Sequence, residues 1–498
     1  PAPAQTWEML VVAALGSGDL ARASAALEAL RKRDGASEGV GTLAGVIKLA
    51  ELDLAGARAE FEAVLKAHPD AVGAKLNLAK LAALEGQPQE AARLVDEMLA
   101  KDPTNSAALA DRISRLLQEG RSADAVAAME LAHKAAPTDL RLTAQLAGLY
   151  TRTGAPKRAL AVVADLPKGV PAIPALLFAQ AAAEEALGKA ADARASYREL
   201  LALFPHAAVL RLKLMQLALA AKDTEAARAV IDDGIRAEPH DYALLQAAVG
   251  IDLTVGGLEQ ALAHAERLAA DPAHLPEAGL LKGDIATWQK RFSDAAAAYA
   301  TALKAAPSSA GAVRLAQALS AEGKQDAASA QLREWLAQHP DDAEVAAALS
   351  LADIAARRLD DAAAHLTIVL AHKPDNAAAL NNLAWVKGER GDPAARATAQ
   401  RAYLLAPGPQ TADTLGWILT KENEAARALP LLRHAGLALP NDPEIGYHLA
   451  VALERTGERE AAIKLLTPLA AKSFADHESA NRLLAEWSAV PAAAGGGR

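Results

Sequence analysis

The stretch that decides the fold is GDIATWQKRFSDAAAAYATALKAAP, residues 283–307. Its alanines and leucines are strong helix formers, and Pro307 cannot continue a helix. Gly283 and Ala295 are small, whereas Tyr299 is bulky, and only small side chains let two helix axes approach closely. The stretch therefore predicts a helix-turn-helix unit in which two helices cross tightly and the second ends at a proline.

Prolines repeat along the chain at the spacing of this unit. Six of them are 34 residues apart: Pro69, Pro103, Pro137, Pro171, Pro205 and Pro239. Six more follow at spacings of 33 to 35 residues: Pro272, Pro307, Pro340, Pro374, Pro407 and Pro440. A fixed period of this length is typical of solenoids built from helix pairs. We therefore expect a repeat array in place of separate globular domains.

Three further positions agree when each proline is taken as position 32. Position 20 is small: Ala57, Ala91, Ala125, Ala159, Ala193, Ala227, Ala295, Ala328, Ala362, Ala428 and Ala462. Position 24 is bulky: Phe61, Val95, Met129, Val163, Tyr197, Ile231, Tyr299 and Leu332. Position 15 is often glycine: Gly86, Gly120, Gly154, Gly188, Gly323 and Gly457. Glycine is favoured there because the residue after a helix often needs a positive φ.

This pattern resembles the tetratricopeptide repeat (TPR) along the whole chain. The resemblance implies an all-α fold, an α-solenoid of about fourteen TPR helix-turn-helix units forming a right-handed superhelix. Twelve units end at the prolines above, an incomplete unit covers about residues 6–35, and a final unit covers residues 443–487.

Departures from the period suggest divisions within the array. Pro167, Pro171 and Pro174 lie within eight residues, so we expect a shortened second helix and a seam at residues 167–174. We accordingly predict N-terminal units over residues 1–171, central units over 172–375, C-terminal units over 376–490 and a flexible tail over 491–498. The pair Gly256-Gly257 predicts a loosened turn in another unit.

Composition argues against several classes of function. The 61 acidic residues outnumber the 52 basic ones, and the formal net charge of −9 carries no basic block, so nucleic acid is not expected as a partner. The absence of cysteine excludes disulfides, zinc-thiolate sites and thiol nucleophiles. No phosphate loop, nucleophile elbow or zinc-protease motif is present, and no apolar run is long enough to span a membrane. We expect no enzyme activity, no cofactor and no metal.

The C-terminal third carries a narrower resemblance. The runs NNLAW (381–385), DTLGWIL (413–419) and PEIGYHLA (443–450) are similar to the last repeats of the TPR-repeat lipoproteins of PEP-CTERM/exosortase systems (PrsT-like) and of exopolysaccharide-secretion TPR proteins. The resemblance implies a periplasmic or outer-membrane-associated scaffold for assembling or exporting a polymer. In that family an N-terminal cysteine carries the lipid, and this chain has no cysteine. A cytoplasmic assembly adaptor and a polysaccharide-binding periplasmic conduit are the alternatives.

In TPR proteins the concave face, lined by residues near positions 2, 5, 9 and 12, usually holds a protein partner. That register includes Arg141, Arg152 and Phe178. The partner-binding residues that we predict lie in the C-terminal repeats: Asn381, Asn382, Trp385, Lys387, Asp413, Trp417 and Tyr447. The two tryptophans are either stacking platforms for a sugar or peptide side chain, or packing residues beside small neighbours such as Gly416. We expect Tyr447 to face the groove and His448 to face the interior or its edge.

Overall fold

The predicted all-α solenoid of helix pairs is confirmed by the structure, a computed structural model that describes residues 4–35, 37–51, 53–85, 87–167 and 173–489. Within those residues there are twenty-eight α-helices and no strand. The first fourteen are α1 (Ala4–Ser17), α2 (Leu20–Asp34), α3 (Glu38–Ala50), α4 (Leu54–Ala67), α5 (Val72–Leu84), α6 (Pro88–Lys101), α7 (Ser106–Gln118), α8 (Ser122–Ala135), α9 (Leu140–Arg152), α10 (Pro156–Ala164), α11 (Pro174–Ala186), α12 (Ala190–Leu203), α13 (Ala208–Ala220) and α14 (Thr224–Ala237). The others are α15 (Tyr242–Ala269), α16 (Leu275–Trp288), α17 (Phe292–Ala305), α18 (Ser309–Ala321), α19 (Gln325–Gln338), α20 (Ala343–Ala355), α21 (Leu359–His372), α22 (Ala377–Glu389), α23 (Ala395–Leu405), α24 (Pro409–Lys421), α25 (Ala425–Ala438), α26 (Pro443–Arg455), α27 (Arg459–Leu466) and α28 (His477–Ala489).

These helices form fourteen A/B pairs in the described part of the chain, as expected. Seven pairs precede α15, α15 contains both helices of the eighth, and six pairs run from α16 to α27, with α28 following as a closing helix. The eighth pair reads as one helix because its turn is only a kink, where Gly257 adopts φ 70° and ψ −164°. A loosened turn was predicted here from the pair Gly256-Gly257.

The predicted packing of each pair is also confirmed. All eleven position-20 alanines are buried, with at most 5% of their surface exposed. Position 24 fills the space beside them: Phe61, Tyr197 and Ile231 are fully buried. The exception is Val163, which is only half-buried because α10 is nine residues long and ends at Ala164. Pro167 therefore shortens this second helix, as its position predicted.

The turn between the two helices of a pair requires a left-handed residue. Gly120, Gly154, Gly188, Gly323 and Gly457 take φ between 70° and 88° there. Four other units use a residue with a side chain in the same conformation: Lys222, Lys290, Arg357 and Asn423, with φ between 58° and 64°. The turn geometry is thus set by the helix pair, and glycine is only its least strained occupant.

The helix pairs belong to two compact units. The first contains residues 1–98 and 341–498, and the second contains residues 99–340. Within each unit, A helices of successive repeats contact one another, as α22 does with α24 and α13 does with α15, which makes the A-helix side the inner face. The ranges 1–171, 172–375 and 376–490 stay predictions. The centre of the predicted seam (residues 168–172) and the tail (491–498) lie outside the described residues.

Candidate partner-binding site

A groove in the second unit follows from the shortened helix α10. Because α10 covers only Pro156–Ala164, α9 packs directly against α11, the A helix of the next repeat. The A helices α7, α9 and α11 then border one groove of about 600 Å³. Its floor is lined by small side chains: Ala110, Ala144, Gly148, Ala179 and Ala182. Small residues at these inner positions leave room for another chain above the helices.

Phe178 projects an aromatic ring into this groove. Nearly half of its surface, 47%, is exposed, although the residue is large and apolar. Tyr197 supports it edge-on, with ring centroids 6.1 Å apart and planes at 72°. The hydroxyl of Tyr197 in turn donates to Glu185 Oε2 at 2.9 Å. The ring of Phe178 is therefore held in place from below while part of it remains open to solvent.

The charged side chains that line the groove are both basic. Arg141 and Arg152 line it, and none of the described lining residues is acidic. The only ion pair that Arg141 makes with a described residue is to Asp139, at 3.6 Å across a largely exposed surface. Such a pair contributes little and leaves the guanidinium available. The groove can therefore hold an apolar side chain beside Phe178 and carboxylates beside the two arginines.

The sequence-predicted residues Asp413, Trp417 and Tyr447 do come together, in the first unit. The rings of Trp417 and Tyr447 have centroids 5.7 Å apart. His448, which was expected only to face inward, is the centre of this cluster: its ring stacks on Trp417 at 4.2 Å, and its Nδ1 lies 2.9 Å from Asp413 Oδ1. Asp413 and His448 are 35 residues apart, one repeat, so the period could have indicated their pairing.

Burial distinguishes this cluster from an open groove. Tyr447 is 6% exposed and His448 is 5% exposed, so the tyrosine ring lies in the core and not, as expected, on the open face. Burial raises the pKa of the Tyr447 hydroxyl and of the nearby Glu444 carboxyl. Trp417 is half-buried and packs against the same core. The geometry favours the packing interpretation of these aromatics.

The remaining predicted residues lie on α22 and do not join that cluster. The guanidinium of Arg357 lies 5.4 Å from the ring centroid of Trp385, and Lys387 Nζ donates to Thr398 Oγ1 at 3.2 Å. Asn381 and Asn382 are half-buried, and Asn381 Oδ1 accepts no hydrogen bond from a described residue. No ring contact between Trp385 and Trp417 is present in the described part of the chain. The seven residues therefore do not form one surface.

Buried acids paired with histidines have a structural explanation. Asp252 pairs with His264 at 2.6 Å, and Asp353 pairs with His365 at 2.9 Å; each pair is 12 residues apart and joins the A and B helices of one repeat.

Among the described residues, no group of three or more histidines or carboxylates could hold a metal ion. Within the same residues, no helix has both the length and the apolar character of a membrane span.

Comparisons with known proteins match these helix pairs. Two family models described as "Tetratricopeptide repeat" match, one at residues 42–106 and the other at residues 185–250 and 286–352. The TPR repeat-containing protein PA4667 of Pseudomonas aeruginosa is 35% identical over 141 residues, which are 27% of this chain. Those residues are 23% of the relative, so the chain spans about a quarter of its length.

Two solved structures align with most of this chain at low sequence identity. A chain from the structure of Naa15/Naa10 bound to HypK-THB has a TM-score of 0.47 and 14% identity, covering 97% of this chain and 91% of that one. A chain from the crystal structure of the APC/C hetero-tetramer Cut9-Hcn1 has a TM-score of 0.39 and 14% identity, with 98% and 96% covered. The family matches and the helix-pair geometry together identify tetratricopeptide repeats at residues 42–106, 185–250 and 286–352.

Proposed function

We propose that this protein is a non-catalytic scaffold that binds protein partners on the inner face of its repeats, in a bacterial envelope exopolysaccharide or PEP-CTERM protein-sorting system. The observation that carries the binding role is the groove between α7, α9 and α11, with its apolar floor and its two arginines. A groove of this kind takes an extended segment or a helix from a partner. The partner segment needs one apolar side chain for Phe178 on α11 and carboxylates that reach the two arginines on α9.

The binding energy of such a segment is concentrated at Phe178. A ring held rigidly from below loses little conformational entropy when it is covered, and aromatic residues are enriched among interface hot spots. Arg141 and Arg152 add charge complementarity, which contributes specificity and a faster association. Affinity should therefore depend on one aromatic residue and fall as salt rises.

A displayed library of random peptides, selected on the full chain, tests this proposal. We expect selected peptides to combine an apolar residue with Asp or Glu. Phe178→Ala should weaken them about tenfold or more, and Arg141→Gln combined with Arg152→Gln, which neutralises both charges, should remove most of their salt dependence. Phe204→Ala is the matched control, because Phe204 is 48% exposed, is also aromatic and does not line the groove. Equal losses for the two phenylalanine variants would contradict the groove as the binding site.

The envelope context rests on the resemblance of residues 376–487 and needs a separate test. Fractionation of the native host, with protease added to spheroplasts, should find the protein in the periplasmic or outer-membrane fraction. A protease-protected cytoplasmic pool would favour the general assembly adaptor and leave the binding groove unaffected. The polysaccharide conduit is disfavoured because His448 stacks on Trp417 and Lys421 Nζ lies 5.5 Å from the centroid of the same ring, so little of that ring is open to a sugar.

A further inference from the structure

In the first unit, the earliest repeats contact repeats that lie more than 300 residues later in the chain. Helix α1 contacts α23, and α5 contacts α25. The first partner of each contact is an A helix and the second is a B helix, so the A helices of repeats 1 and 3 meet the B helices of repeats 12 and 13. Stacking of neighbouring repeats does not produce this contact, because stacking joins each repeat only to the next one along the chain.

Leu404 provides the apolar part of the contact. It lies on α23 yet packs against the core of the first two repeats, which includes Val11, Leu30 and Ile47. Those core residues are at most 3% exposed. A side chain from repeat 12 therefore completes the hydrophobic core of repeats 1 and 2.

Two arginines extend the contact, one through a hydrogen bond and the other through its aliphatic stem. The guanidinium of Arg427, on α25, donates a hydrogen bond to the backbone carbonyl of Glu51, the residue that ends α3. The aliphatic stem of Arg401, on α23, lies against Gly18, where an added Cβ would meet Cδ, Cβ and Cγ of Arg401 at 3.0 to 3.2 Å. Gly18 also has φ +73°, so both its conformation and this close approach favour glycine.

We infer that the A helices of repeats 1 and 3, together with the turns that follow α1 and α3, form an interaction surface whose occupant is the B-helix side of repeats 12 and 13 of the same chain. The surface fits that occupant through one apolar side chain and two arginines with backbone or stem contacts. The contact is small compared with the stacking between neighbouring repeats, so it opens at a lower free energy than any repeat unfolds. It is a latch, and an external partner reaches this surface only when the latch is open.

A disulfide tests the closed contact directly, since the chain has no cysteine of its own. Cβ of Arg401 lies 3.1 Å from a Cβ built on Gly18. This is shorter than the separation of about 3.5–4.5 Å within a disulfide, so a small outward shift of the two backbones would accommodate the bond. Mild oxidation of the full chain carrying Gly18→Cys and Arg401→Cys should give a monomer that migrates faster on a non-reducing gel. A disulfide-linked dimer would overturn the inference, because the contact would then join two copies.

Distance measurements cover the case in which the glycine substitution itself strains the turn. Spin labels on Met9→Cys and Leu437→Cys, positions that are 72% and 79% exposed, should give one narrow distance distribution by double electron-electron resonance. Leu404→Glu with Arg427→Ala should broaden and lengthen it, whereas the control Leu351→Glu with Arg433→Ala should not. In wild type, urea should produce the long distances before helix content falls. A broad distribution in wild type, or separation only together with loss of helix, would refute the latch.

Discussion

Gly283 lies directly against the ring of Tyr299, so closely that a Cβ on the glycine would be 2.7 Å from Cζ of the tyrosine and nearer still to two other ring carbons. Gly45 and Phe61 have the same relationship in the second repeat, with Cζ at 2.7 Å. The glycine is on the A helix and the ring is on the B helix of one repeat. The glycine leaves the space that the ring on the other helix fills, so each glycine and its ring pack as a pair.

We therefore expect Gly283→Ala to destabilise the protein although alanine is the better helix former. Overpacking of this kind costs about 1–3 kcal/mol, which exceeds the helix-propensity gain of about 1 kcal/mol. Urea unfolding followed by circular dichroism measures the change. The matched control is Gly250→Ala in α15, where an added Cβ has nothing within 4 Å and stability should rise. Similar effects for the two variants would show that the contact with Tyr299 is not the cause.

In the turns with a left-handed backbone, we expect replacement by glycine to stabilise the protein. Lys290 is exposed and has φ +59°, a conformation that costs a residue with a side chain about 1–2 kcal/mol. Lys290→Gly should therefore raise the melting temperature, with a net gain of about 0.5–1 kcal/mol after the greater freedom of glycine in the unfolded chain is counted. The reverse exchange, Gly154→Lys at φ +82°, should lower it, since an added Cβ there touches nothing and only the backbone is affected. A loss of stability in Lys290→Gly would contradict this account.

The repeat could be predicted from the sequence because the residues that define it lie close together within each unit. Ala295 and Tyr299 are four residues apart on one helix, and the proline that follows ends that helix; both constraints recur every period. The positive φ of Lys290 was not predictable from residue type, because glycine was the only indicator used. It follows instead from the turn that the two packed helices impose.

The groove and the latch could not be predicted for a different physical reason. The groove exists because Pro167 shortens α10 and lets α9 meet α11, a consequence that appears only when the helices are placed in three dimensions. The contact between Leu404 and the core around Val11 joins distant parts of the chain, and no periodicity links them. The partner-binding residues were predicted in the C-terminal repeats because large aromatic residues are found there, but residue size does not distinguish a buried ring from an exposed one.

Stability should also depend on pH through His434. Burial lowers the pKa of this imidazole from its ordinary value of 6.5, so the folded chain resists protonation there. Below pH 6.5 the unfolded state binds more protons than the folded state, and stability falls as pH falls until the lowered folded pKa is passed. Melting temperatures between pH 7.5 and about 5 should decrease less steeply for His434→Gln than for wild type. The exposed His68→Gln should follow the wild-type curve, and identical curves for all three would exclude His434 as the titrating group.

The last prediction decides the role of the C-terminal aromatics. Trp417→Ala combined with Tyr447→Ala removes the ring that stacks on His448 and a core residue that is 6% exposed. Each large-to-small change in a core costs about 3–5 kcal/mol at full burial, and less for the half-buried Trp417. We expect a clear drop in melting temperature, whereas Trp288→Ala, at a position that is 71% exposed, should leave it unchanged. The same double variant, assayed below its transition, should retain wild-type affinity for the peptides selected by the groove of Phe178. Unchanged stability together with lost capture of an envelope partner would instead restore Asp413, Trp417 and Tyr447 as the binding surface, and would place the partner on the first unit.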